Sequence, residues 1–129
     1  MIIIDENIMD SQRTQLINWK IHIRQIGHKI AQQGVKDEEI IPLLRKKGNI
    51  TFFTRDKGFY DPTLCHESYC LVILGVNQSE VASFIRRFLK HSRFSTNALR
   101  MGNVFHIQHI GIRYYKVKDF QEQFCEWVT

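Results

Sequence analysis

Long apolar runs are missing from this 129-residue chain, and cysteine and proline are scarce. No stretch approaches the ~20 apolar residues of a membrane-spanning helix, so no membrane partner is expected. The three cysteines, Cys65, Cys70 and Cys125, are an odd number without CxxC spacing. A disulfide framework is therefore not expected, and a reducing cytoplasmic location is. Two prolines and seven glycines argue against a collagenous or disordered chain. The opening apolar run, residues 1–4, ends at Asp5 and Glu6 with no basic leader, too short for the core of a secretory signal. What is present is 43% hydrophobic residues in a length that suits one packed domain.

Acidic residues are also scarce in one part of the chain. The net charge is +5, from 18 Lys and Arg against 13 Asp and Glu. Residues 1–61 hold eight acids and ten bases, residues 62–118 only Glu67 and Glu80 against eight bases, and residues 119–129 three acids and no base. A fold that brings the halves together would set an acidic pocket beside a basic surface, which suits a metal-dependent enzyme acting on a polyanion.

Apolar periodicity predicts alternating strands and helices. Ile2 to Ile4 reads as a strand buried on both faces. A helix follows, with Ile8, Met9, Leu16, Ile17 and Trp19 as core candidates, ending near Lys20, and then a strand over 21–26. Gly27 and Gly34 punctuate the next stretch. Asp37 reads as the N-cap of a helix that closes at Arg45-Lys46-Lys47-Gly48 and carries a disruptive Pro42. Ile50 to Phe53 and Cys70 to Val76 are further buried strands. Val81, Phe84, Ile85, Phe88 and Leu89 place one apolar face on a helix over 78–91. Residues 95–101 suit a short helix and 103–116 a hairpin bent at Gly111. Phe120, Phe124 and Trp127 at i, i+4 and i+7 predict a helical tail over 119–129. The alternation implies an α/β layered domain with a mainly parallel sheet.

In such sheets ligands bind beyond the carboxyl ends of the strands. Two buried strands end directly in acids, Asp5 with Glu6 after the first and Asp56 after Phe52-Phe53-Thr54. Asp37, Glu38 and Glu39 open a helix from the sheet rim, and Asp61 follows Asp56 closely, before Pro62, in a position that suits a turn better than a ligand. Converging carboxylates raise one another's pKa unless a cation compensates, and hard oxygen ligands suit Mg²⁺ or Mn²⁺. Arg55, Lys57 and Arg113, with Arg86, Arg87, Lys90 and Arg93, are candidates for RNA contact; a solvated helix face accounts equally well for the last four. Cys65, His66, Cys70, His106 and His109 match no strong zinc spacing.

The ordered series IIIDEN (2–7), KDEEI (36–40), NITFFTRDKGF (49–59) and CLVILGV (70–76), followed by the amphipathic helix and closing strand pair, resembles the PIN-like nucleases, in particular small toxins related to VapC-type ribonucleases. The resemblance spans roughly residues 2–116. It implies a three-layer α/β/α sandwich over 1–118, Mg²⁺- or Mn²⁺-dependent RNA cleavage and a cognate antitoxin partner. By position, Asp5, Asp37 and Asp56 match the metal-holding catalytic acids, Glu6 and Glu39 nearby acidic positions, and Asn7 and Thr54 supporting polar groups. Two departures stand out. Gly58 replaces an acid that relatives commonly carry before the phenylalanine, for which Asp61 is a possible substitute, and Pro42 occupies a position that is usually helical. Two other readings remain: a PIN-like binding protein that has lost its chemistry at Gly58, and a phospho-receiver-like switch. The second is disfavoured because Asn77, not lysine, follows CLVILGV. The tail suits homodimerisation or core packing equally.

Overall fold

The computed structural model describes residues 1–26 and 37–127, except for the side chains of Asp37 and Glu38. Gly27 and Gly34 lie outside the described residues. Seven strands, β1 (Ile2–Ile4), β2 (Ile23–Gln25), β3 (Ile50–Thr54), β4 (Tyr69–Leu74), β5 (Val104–Gln108), β6 (Gly111–Tyr115) and β7 (Gln123–Cys125), form one sheet in the order β2-β1-β3-β4-β5-β6-β7. The first five run parallel, and β6 and β7 join antiparallel. The α-helices are α1 (Asp10–Asn18), α2 (Asp37–Lys47), α3 (Val81–Lys90) and the short α4 (Asn97–Arg100).

Successive strand residues point to opposite faces, and both faces of this sheet are apolar. One core layer joins Ile4, Phe53, Val72, Leu74, Phe105 and Ile107 to Leu16 of α1 and to Val81, Phe84, Ile85 and Phe88 of α3. The other joins Ile3, Phe52, Leu71, Ile73 and Val104 to Ile40 and Leu44 of α2. This two-sided burial is why β1, β3 and β4 read as continuous apolar runs, and it gives the α/β architecture expected of a layered sandwich. The α2 helix runs without interruption across Pro42.

Three expectations need correction. Helix α1 spans nine mostly polar residues, DSQRTQLIN, and buries Leu16, with Ile8 packed just before it, whereas Met9 and Ile17 are exposed; its sequence offers the core a single inward apolar side chain. The strand expected over 21–26 shortens to β2. The tail is not a separate helix, because residues 123–125 extend the sheet against the free edge of β6. There the His91 ring, which accepts from Arg93 N at Nδ1, reaches Glu126 O through Nε2 at 3.0 Å, and Trp127 Nε1 donates to Gln108 O at 2.7 Å. Tertiary hydrogen bonds and sheet pairing outweigh the helical spacing of Phe120, Phe124 and Trp127, and both phenylalanines face solvent.

Candidate metal and nucleic-acid site

The chain leaves β1 for β2 on one side and then crosses to β3 on the other, so strand order reverses between β1 and β3. Their diverging connections leave a crevice at the carboxyl ends. Asp5 and Asp56 line that crevice with Asn7, Ile8, Arg55 and Gln78, around a cavity of about 270 Å³.

Asp5 prolongs the strand ladder by donating its N–H to Phe53 O at 2.9 Å, so its carboxyl is carried by the sheet rather than by a loose loop. The residue is 8% exposed, and its carboxylate accepts from Thr54 Oγ1 at 2.7 Å. The same hydroxyl oxygen accepts from Asp56 N at 3.1 Å, which directs its proton to Asp5. Thr54 thus ties the ends of β1 and β3 together. Desolvation by burial pushes the Asp5 carboxyl above the usual range, the nearby Glu6 charge adds to this, and hydrogen bonds from Thr54 and from the backbone of Glu6 and Asn7 pull the other way. Asp56 Oδ1 accepts from Gly58 N at 2.9 Å, so the carboxyl also caps the short turn 57–59.

The remaining sequence candidates separate into three places. Asp61 accepts from Thr63 N and Oγ1 at 2.9 and 2.7 Å and caps the turn 62–64, outside the lining of the crevice. Glu39 is exposed on α2 and is likewise not part of the lining, and Asp37 opens α2 with its side chain outside the described residues. Arg55 lines the crevice, and Lys57 lines the next cleft along the rim. Arg86 lies over the Trp19 ring at 4.6 Å and Arg87 over Trp127 at 4.4 Å, which with Lys90 form a separate basic groove on α3. Arg113 is paired with Glu122 at 3.5 Å on β6.

Two residues that hold the crevice escaped the sequence reading. Gln25, 2% exposed on β2, donates to Asp5 O at 3.1 Å and Ile8 O at 3.0 Å. Gln78 clamps the same loop by accepting from Met9 N at 3.2 Å and donating to Asn7 O at 3.1 Å. A polar residue in a register that points inward was the available signal for Gln25. Gln78 left none, because its partners lie about seventy positions away.

A hard cation fits the donor set at the crevice: Mg²⁺ is commonly held by one or two carboxylates, with waters and substrate phosphate completing the shell. Asp5 and Asp56 are the carboxylates that would hold such an ion, and an ion there would relieve the cost of burying Asp5. Among the described residues no three His, Cys, Asp or Glu side chains gather into a complete protein-only metal site. Comparison of the chain with known protein families, with curated proteins and with solved structures finds no match.

Proposed function

We propose that this chain is a PIN-like, metal-dependent endoribonuclease and the toxin of a toxin–antitoxin pair. The observation that carries the reading is the pair Asp5 and Asp56, joined through Thr54 at the point where strand order reverses. In it Asp5 and Asp56, with Asp37 as a third acid, hold Mg²⁺ or Mn²⁺. The ion supplies water activation and stabilisation of the leaving oxygen in phosphodiester hydrolysis. Thr54 and Gln25 fix Asp5, Gln78 and Asn7 shape the wall, and Arg55 attracts the phosphate.

The test is cleavage of structured RNA in Mg²⁺ or Mn²⁺ by wild type, Asp5→Asn and Asp56→Asn. Each substitution is expected to lower the rate about a hundredfold or more, the scale of several kcal/mol of lost charge stabilisation. Equal rates for wild type and both variants under either metal would refute the enzyme and favour the non-catalytic binding protein. One observation favours a second reading: the strand order through β5 is also that of flavodoxin-like receivers, with Asp56 following β3. Stable modification of Asp56 by a small acyl phosphate, without RNA cleavage, would establish that switch instead.

A further inference from the structure

Beside the carboxylate crevice lies a second cleft of about 290 Å³, at the carboxyl ends of β4 and β5. Arg55 lines both and is pinned between them by its Nε, which donates to Val76 O at 3.1 Å. A chain running from one cleft to the other therefore passes Arg55.

Two polar atoms of this second cleft's lining residues, His106 Nε2 and Gln108 Oε1, are buried and have no hydrogen-bond partner among the described residues. Buried polar groups are normally satisfied, and one left unmade costs about 1–3 kcal/mol. His106 and Gln108 are i and i+2 on β5 and so share a face. Gly75 is the lining residue that leaves them room, since a Cβ there would lie 2.7 Å from His106 Nε2 and 2.9 Å from Ile107 O. Burial, followed by the Lys57 charge, holds the His106 imidazole below its ordinary range, so the ring is neutral at pH 7. At the rim His109 Nε2 lies 2.8 Å from Glu80 Oε2. The unsatisfied pair is thus an uncharged imidazole nitrogen and an amide oxygen, a pattern that matches the edge of a nucleobase better than a phosphate. Arg55, shared with the carboxylate crevice, and Lys57 bring fixed positive charge to this lining, which suits a phosphate backbone.

We propose that this second cleft binds the base of one single-stranded RNA nucleotide next to the phosphate in the carboxylate crevice, His106 and Gln108 reading its edge and Arg55 and Lys57 its backbone. The proposal rests on RNA as the substrate, and it sets sequence preference rather than cleavage.

The experiment measures binding of short fluorescent A, C, G and U homo-oligoribonucleotides with divalent ions chelated, so that no cleavage occurs. Wild type is expected to prefer one homopolymer at least tenfold, about 1.4 kcal/mol. Gln108→Leu and His106→Phe are expected to flatten that preference, while Lys57→Ala weakens all four alike. Should either wall variant unfold, the Gln108 side-chain amide resonances of wild type are followed instead, and must shift with the preferred oligomer only. No preference in wild type, no binding of any oligomer, or a preference unchanged in both wall variants overturns the subsite. Preference without cleavage in Mn²⁺ would retain the subsite and sink the nuclease; cleavage without preference would do the reverse.

Discussion

Asp5 carries a conflict between solvation and placement. The end of β1 holds its carboxyl out of water, and burial raises its pKa despite the hydrogen bond from Thr54. A folded-state pKa above the unfolded one means that the native protein binds the proton more tightly. Stability tied to this group is then full at acid pH and lost as pH rises through the raised value. Asp5→Asn should therefore be more stable than wild type at pH 7–8, by about 1 kcal/mol, with the gain shrinking toward zero as pH falls and the wild-type acid becomes neutral too. Urea denaturation of both proteins between pH 4 and 8 checks this; a variant less stable at pH 8 would mean that the carboxylate is already compensated. A carboxylate held at a cost to the fold is consistent with the proposed cation site. Asp5 and Asp56 were legible in the sequence because each lies just beyond an apolar run, Asp5 directly and Asp56 after Thr54 and Arg55. Gln25 and Gln78 were not, because their role depends on partners distant in the chain.

At the level of elements, the hairpin of β5 and β6 shows how closely local geometry and packing are coupled. Gly111 begins β6 at φ +154°, and a Cβ there would lie 2.5 Å from Phe124 Cζ and 2.8 Å from Cys125 O. Gly111→Ala should cost about 1–3 kcal/mol, from backbone strain and from pushing β7 off the sheet. The exposed neighbour gives the control: Ile110→Ala should stay within about 0.5 kcal/mol in the same thermal melts. The bend at Gly111 and the α3 helix could both be read locally, since glycine punctuates and the apolar residues of α3 recur at helical spacing. Strand β7 could not. Its apolar spacing fits a helix, and only the open edge of β6, the His91 ring and the Gln108 carbonyl draw it into a strand.

Across the whole molecule, the sheet sets acids and bases along one rim. Asp5, Asp56, Arg55 and Lys57 come from the ends of β1 and β3, and His106 and Gln108 from β5, all among the carboxyl-end clefts. Strand β7 lies at the far edge of the sheet, so a chain ending at residue 118 should keep the crevice. It would also uncover β6 and remove the Trp127 and His91 contacts. The expected loss is about 2 kcal/mol or more, a fall of several degrees in Tm, with the proposed Asp5-dependent RNA cleavage retained below the transition. An unchanged Tm would show that β7 adds nothing to the fold. The alternation of apolar strands and amphipathic helices, and the acids at strand ends, could be read directly from the chain, because periodicity and abutting charge are local properties. Strand order, the hydrogen bond from Thr54 to Asp5, 49 positions away, and the pairing of the tail required the folded molecule. Those features depend on contacts between distant segments, whose free energy no local pattern encodes.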